Sequence, residues 1–340
     1  MSSSPLNDIF EEAYMKPETL KKMIVDSNPV IGDFILKGQM SFIYGPPNCG
    51  KTLLIMTLLK DVTEKIIYLN ADDGINGGTD KVKIAQDNNY IMILCGTNNS
   101  NEPKSILKAM SKKIEQDNLY YKDKVLIFDT VKKFVNPLDK KGTASFLQLM
   151  RRITLAGGTV VLIGHTNKHR DNHEQLVFEG VGDWISDMDC VYSLDFELDE
   201  KTNFKTVLFD NQKSRGVIPQ SIFYSYYAGK DLPTFELRMN TVEKLDDEKA
   251  EIAREKVSVK ILEEKYASSV YFIETALKEK ILSQSQLRRL ARVNDNYTGS
   301  DNEIRKCLVA FDGIKWISKN NPLQNNAKEY QIKTDAPLKS

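Results

Sequence analysis

Cysteine, tryptophan and histidine are all scarce in this sequence, at four, two and three residues among 340. The cysteines (Cys49, Cys95, Cys190 and Cys307) lie far apart and form no C-x-x-C pair. That excludes a disulfide framework and a cysteine-based zinc site, and free thiols in a reducing cytoplasm are the expectation. Net charge is also missing. Lys plus Arg and Asp plus Glu each number 47, so the chain is not globally basic and any nucleic-acid surface must be a local patch. No apolar run approaches the roughly eighteen residues of a membrane span, and the polar start MSSSPLNDIFEEAY lacks a signal-peptide core. A cytoplasmic protein without a membrane partner is therefore expected. Internal repeats and low-complexity tracts are absent too. What remains, 41% hydrophobic and 28% charged residues, is ordinary for a soluble globular protein. The length suits two domains.

The densest information lies in Ile43–Leu59, IYGPPNCGKTLLIMTLL. Met40–Tyr44 reads as a buried strand and Lys51–Lys60 as a helix. Gly45, Pro46, Pro47, Asn48, Cys49, Gly50, Lys51 and Thr52 between them fit G-x-x-x-x-G-K-[ST], the phosphate-binding P-loop, in the strand–loop–helix context it needs. Gly45 and Gly50 let the backbone curl so that its N–H groups face phosphates at the helix N-terminus. Lys51 would reach the β- and γ-phosphates, as a solvent-facing side chain, and the Thr52 hydroxyl would ligate Mg²⁺. ATP with Mg²⁺ is the implied ligand.

Further strands are expected at Ile66–Asn70, Ile91–Leu94, Lys124–Asp129, Thr159–Gly164, Cys190–Asp195 and Thr206–Gln212. Helices are expected at Pro17–Asp26, Asp80–Gln86, Pro103–Gln116 and Thr143–Ala156. Short apolar strands separated by helices argue for an α/β fold with a mostly parallel sheet covered on both faces. The strands after Asp189 follow without long helices, so that edge should be antiparallel. Around Asn240 the texture changes. Val242–Tyr266 is densely charged, with opposite charges at i,i+4, and reads as a solvated connecting helix. Helices at Ser268–Glu279, Ser283–Val293 and Asp301–Phe311, then strands at Gly313–Ser318 and Glu329–Ile332, follow the order of a winged helix. The expected organisation is an N-terminal segment (1–29), an ATPase domain (30–240), a helical linker (241–266) and a small α+β winged-helix-like domain (267–335).

Asp129 closes VLIFD, four apolar residues and then one acid, the position of a second metal-holding carboxylate. Its neighbour is Thr130, so the acid that activates water must come from elsewhere. Asp72 and Asp73 in YLNADDG, at a strand's carboxyl end, are the candidates. The order of P-loop, NADDG, FDT and VVLIGHTNK resembles the RecA-like ATPases of the hexameric replicative-helicase branch, over roughly residues 30–240. Within that branch the pattern resembles plasmid RepA-type helicases and phage and plasmid AAA ATPases. The resemblance implies that Asp72 polarises the attacking water, where the family has a Glu, with Asp73 as the alternative. It also implies that His165, with Asn167, senses the γ-phosphate. Lys213 and Arg215 in NQKSRG resemble the element that reaches a neighbouring subunit's ATP, an arginine finger in trans.

His165, His169 and His173 are spaced four apart, but HTNKHRDN is poor helix-forming sequence and no cysteine is near, which opposes a zinc site. Thr166–Gly180 reads instead as a mobile loop whose Lys168, His169 and Arg170 face a phosphate backbone. Lys132, Lys133, Lys140 and Lys141 make the loop after Asp129 basic as well; a solvated face is the competing reading of both loops. In the last domain the basic candidates are Arg288, Arg289, Arg292, Arg305, Lys306, Lys315 and Lys319. The expectation is an ATP-hydrolysing homo-oligomer, a hexamer, that acts as a motor on DNA. Single-stranded DNA would pass through the ring and duplex would meet the winged helix. Two other readings stand beside it. One is a RecA-like ATP switch or recombination mediator, and the other a superfamily-3 viral-type helicase, against which the lone acid of FDT and the GHTNK stretch count.

Overall fold

The computed structural model describes residues 28–170, 176–178, 183–322 and 326–333, with backbone alone at 167–170 and 183. The helix expected at Pro17–Asp26 and the position of His173 lie outside these residues. The chain divides into two compact units, which meet in sequence between Ala250 and Glu251.

The first unit opens with a small antiparallel pair, β1 (Pro29–Ile31) and β2 (Ile35–Leu36). Then come β3 (Met40–Gly45), α1 (Lys51–Leu58), β4 (Lys65–Asn70), α2 (Ile75–Asp87), β5 (Ile91–Leu94), α3 (Pro103–Gln116), β6 (Lys124–Asp129) and α4 (Lys140–Leu155). β7 (Thr159–Arg170), β8 (Leu176–Phe178), the short α5 (Asp183–Asp187), β9 (Cys190–Leu198), β10 (Phe204–Ser214), β11 (Ser221–Tyr227), α6 (Phe235–Met239) and β12 (Glu243–Lys244) follow. The sheet runs β12-β11-β10-β9-β3-β7-β6-β4-β5, with β8 paired to β7. From β9 to β5 every neighbouring pair is parallel, and β10, β11 and β12 add on antiparallel. The expected antiparallel edge is therefore present. β7 separates the P-loop strand β3 from the Asp129 strand β6.

Side chains alternate between the faces of a strand, and here both faces are covered. On one face Ile43, Val125, Ile127, Val161, Ile163, Val207, Phe209, Ile222 and Tyr224 pack with Leu53, Leu54 and Ile55 of α1. On the other, Met40, Phe42, Tyr44, Leu126, Phe128, Val160 and Leu162 pack with Met110 and Ile114 of α3 and Phe146, Leu147 and Met150 of α4. That two-sided burial is why the central strands read as continuous apolar runs rather than alternating ones. Each such side chain, fully buried, contributes about 1.5–3 kcal/mol relative to exposure.

Several elements differ from the sequence reading. β11 is additional to the expected strands. β12 (Glu243–Lys244) takes the start of the helix expected at Val242–Tyr266, which begins only at Asp247, and the strand expected at Gly313–Ser318 begins at Trp316. α2 begins at Ile75, before the expected Asp80, and runs through Gly77 and Gly78. Glycine weakens a helix interior, but a Cβ on Gly78 would lie 2.5 Å from Leu94 of β5. Close packing of helix on sheet therefore selects it. The segment after Gly164 does not leave the sheet as a loop. β7 continues to Arg170 and pairs antiparallel with β8, Thr166 opposite Phe178 and Arg170 opposite Leu176.

α7 (Asp247–Lys265) carries the chain into the second unit, where α8 (Ala267–Glu279), β13 (Leu282–Ser283), α9 (Gln284–Arg292), α10 (Asp301–Ala310), β14 (Trp316–Asn321) and β15 (Ala327–Ile332) follow. The hairpin β14–β15 gains a third strand, β13, too short to stand out in sequence. Trp316 is fully buried among Ile273, Leu287, Ile304, Leu308 and Phe311, and its indole N–H donates to the Leu308 carbonyl at 3.2 Å. Ser283 and Gln286 form a capping box on α9, which satisfies two otherwise unpaired helix N–H groups.

Candidate nucleotide site

The alternation that builds the core also builds the site. Asp129 continues the parity of Val125 and Ile127, and His165 that of Val161 and Ile163. Lys205 continues that of Val207 and Phe209, and Tyr226 that of Ile222 and Tyr224. All four therefore project to the α1 face. They also share one end of the sheet: Asp129 lies beside Ile163, His165 beside Gly45, and Lys205 beside Tyr226. There they line a cavity of about 420 Å³ with Asn48, Gly50, Lys51, Thr52, Asp72 and Asp73.

The loop after β3 is shaped by backbone that favours glycine. Gly50 caps α1 with φ +102°, in the left-handed region that L side chains rarely adopt. A Cβ there would also lie 2.8 Å from the Tyr226 ring. Lys51 is only 6% exposed, which corrects the expectation of a solvent-facing side chain. Its ammonium donates to the carbonyls of Gly45 at 2.9 Å and Pro46 at 2.8 Å. The loop's own carbonyls hold the charge in place beneath the cavity.

Asp129 is 3% exposed. One of its oxygens, Oδ2, accepts from the Thr52 hydroxyl and from the Tyr68 hydroxyl, each at 2.6 Å. Burial holds its pKa above the usual carboxylate value, although those two hydrogen bonds act to lower it. A buried carboxylate and a hydroxyl at the first turn of α1 form an oxygen donor pair that suits a hard cation keeping most of its water, as Mg²⁺ does. Among the described residues no group of three or more His, Cys, Asp or Glu side chains could hold a metal. A dedicated protein cage is therefore not what this site offers.

Asn70, fully buried at the tip of β4, organises the two acids. Its side-chain carbonyl accepts from the N–H groups of Asp72 and Asp73, each at 3.1 Å. Asp73 is engaged twice more: Asn70 Nδ2 donates to it at 2.7 Å and Lys81 Nζ at 2.5 Å. Asp72 is exposed on the cavity wall. The structure thus divides the pair into one acid fixed by a lysine and one open to solvent. His165 is half-buried, and its Nδ1 meets no partner among the described residues. Burial, then the nearby Lys51 and Lys132, lower its pKa to about 4. Its imidazole is neutral at pH 7.

Lys213 and Arg215 are not brought to this cavity. Lys213 lies eight residues beyond Lys205 along β10, about 26 Å of extended chain, at the opposite end of the sheet. Its ammonium donates to the carbonyls of Ile185 at 3.0 Å and Ser186 at 2.5 Å. Arg215 pairs at 2.9 Å with the buried Asp189, which also takes Arg151 at 2.6 Å and the Met40 N–H at 2.9 Å. Side chains of Asn167, Lys168, His169 and Arg170 fall outside the described set. Lys132, Lys133, Lys140 and Lys141 are exposed. In the second unit Arg288 and Arg292 pair with Asp301, and Lys315 with Glu263 and Glu274. That leaves Arg289, Arg305, Lys306 and Lys319 as exposed bases outside those pairs.

The sequence reading missed Lys205, which is 9% exposed. Its ammonium donates to the Asn48 carbonyl at 2.7 Å and lies over the Phe196 ring, 4.6 Å from the centroid. A lysine in a strand usually marks a solvated face. Only its parity with Val207 and Phe209 could have placed it on the buried one. Arg238 of α6, which also lines the cavity, carries no motif either.

Residues 41–181 match the family described as ATPase family associated with various cellular activities (AAA). The match takes in the P-loop, Asp72, Asp129 and His165, and this part of the chain is a P-loop ATPase domain. No curated protein matches the chain. Among solved structures it is similar to the RadB recombinase, at 15% identity and a TM-score of 0.43, over 63% of this chain and 94% of that one. It is also similar to the flagellar accessory protein FlaH from Methanocaldococcus jannaschii, at 12% identity and a TM-score of 0.43, over 66% and 98%.

Proposed function

We propose that the protein is an oligomeric ATP-driven motor that acts on DNA, a replicative-helicase-like protein of a plasmid, phage or mobile element. The observation that carries the reading is the convergence of Lys51, Thr52, Asp129, Asp72 and His165 on one cavity at the carboxyl end of a parallel sheet. The loop from Gly45 to Thr52 would hold the phosphates of ATP. Thr52 and Asp129 would hold Mg²⁺, which when bound neutralises phosphate charge. Asp72, exposed beside the cavity, has the position and the solvent access to orient a water. His165, neutral and with a buried ring nitrogen that meets no partner among the described residues, can switch its hydrogen bonding when a phosphate oxygen arrives.

Motor action rests on two further features. Lys213 and Arg215 stand far from their own P-loop, so any action on ATP would be on a neighbouring subunit's. Arg215 is 58% exposed, and Arg151 would stay on Asp189 if it swung away. DNA contact would fall to the basic turn at Lys132 and Lys133 beyond Asp129. In the second unit, read as a winged helix, it would fall to Arg289, Arg305, Lys306 and Lys319. The competing reading is an ATP switch without unwinding, with the second unit docking a protein.

ATP turnover measured with and without single-stranded DNA, with light scattering on the same samples, separates the two. A motor turns over faster on DNA and assembles with ATP. Turnover indifferent to DNA at every concentration would favour the switch.

A further inference from the structure

The geometry points to Arg238 as a phosphate-contacting residue of the nucleotide cavity, supplied by the same subunit as the P-loop. This rests on the nucleotide reading above and adds a cation that lies outside the matched ATPase region.

α6 is a five-residue helix whose cap, Thr234, accepts from the Leu237 N–H at 3.2 Å. Phe235 and Met239, four residues apart, fasten it to the core on the α1 side, and it packs against α1 and α2. Arg238, three residues after Phe235, is thereby set on the cavity wall beside Tyr226. Lys51, Lys81, Lys205 and Arg238 are the cations that line this cavity. Three of them already have acceptors: Lys51 on Gly45 and Pro46, Lys81 on Asp73, Lys205 on Asn48. Arg238 has none for its head group among the described residues, and its Nε is buried. Arg151 and Arg288, also half-buried, each meet a carboxylate.

A buried guanidinium donor without an acceptor is costly, and no acid of this cavity pairs with it. Its planar fork suits two oxygens of one phosphate. An anion entering above the P-loop would supply them. The antiparallel strands and α6 thus contribute to binding in cis, whereas Lys213 and Arg215 of the same segment stand at the far end of the sheet.

The test is equilibrium binding of ATP, ADP and adenosine to wild type, Arg238→Ala, Arg238→Gln and Arg238→Lys, with Lys51→Ala in parallel. Charge-assisted hydrogen bonds of this kind correspond to about a 10- to 100-fold loss in affinity. Arg238→Ala and Arg238→Gln should lose that much for ATP and ADP, with little change for adenosine, and Arg238→Lys should recover part of it. Wild-type affinity for ATP and ADP in folded Arg238→Ala would overturn the assignment. So would an equal loss for adenosine, which would mark a base contact, or failure of both Arg238→Ala and Arg238→Gln to fold, which would mark a structural role. Mixing Arg238→Ala with Lys51→Ala protein should restore nothing, and recovery would show action in trans. Unchanged ATP binding by Lys51→Ala would instead reject the P-loop reading itself, whatever Arg238 does.

Discussion

Asp129 and Asp72 offer two carboxylates with opposite environments, one buried under two hydroxyls and one open to solvent. Substituting each should therefore have separable effects. Asp129→Asn keeps the shape but not the charge, and should weaken Mg²⁺-dependent ATP binding measured by titration. Asp72→Asn should leave binding near normal and slow hydrolysis by about 10²–10⁴-fold, the usual cost of a lost general base. Asp73→Asn should disturb the pairing with Lys81 more than the rate. If Asp73→Asn slows turnover and Asp72→Asn does not, the base is the other acid.

His165 gives a second residue-scale expectation. With a folded pKa of about 4 against an ordinary 6.5, the unfolded chain takes up the proton first as pH falls. Stability should therefore drop between about pH 6.5 and pH 4, and His165→Gln should lose that part of the acid sensitivity in urea unfolding. A phosphate oxygen nearby favours the imidazolium, so nuclear magnetic resonance should see the pKa rise when ATP binds. An ordinary pKa without nucleotide would contradict the described burial. At this scale the placement of the loop residues and Asp129 at the cavity was legible because motif and apolar strand surround them. That of Lys205 and Arg238 was not, because a lone base in a strand or short helix carries no motif and becomes meaningful only through its packed neighbours.

The P-loop as an element depends on Gly50. Its φ of +102° costs an L residue about 1–2 kcal/mol, and the Tyr226 ring stands where a Cβ would go. Gly50→Ala should lower unfolding stability by about that amount and weaken ATP binding, because relief of the clash moves the loop. Denaturant unfolding and nucleotide titration check the two parts, and an unaltered affinity would mean that the loop tolerates another shape. The central strands were readable as apolar runs buried on both faces. α2 was readable only from Asp80 because Gly77 and Gly78 conceal its first turn, and the reason for Gly78, close approach to Leu94, is tertiary. β8 and β13, at three and two residues, are too short for period-two alternation to register. The segment from Thr166 to Arg170 has a loop-like composition, yet extends β7 because β8 supplies a partner.

Over the whole molecule the same parity rule that covers both sheet faces also places Asp129, His165, Lys205 and Tyr226 at one end of one face. The order of elements in the sequence carried most of that architecture, including the antiparallel edge. It could not carry the position of Lys213 and Arg215, because only the register of β10 against β9 sets them at the far end of the sheet from the P-loop. Residues so placed cannot complete their own subunit's site from where they stand. The proposal that they complete a neighbour's makes the active enzyme an assembly. A missing finger of this kind costs on the order of 10³–10⁵ in rate. The most direct measurement mixes Arg215→Ala protein, whose P-loop is intact, with Lys51→Ala protein, whose Arg215 is intact, and follows ATP hydrolysis. Interfaces that pair one intact P-loop with one intact Arg215 should restore turnover well above the sum of the two proteins alone. If light scattering shows mixed assemblies and turnover stays at that sum, the shared site is contradicted.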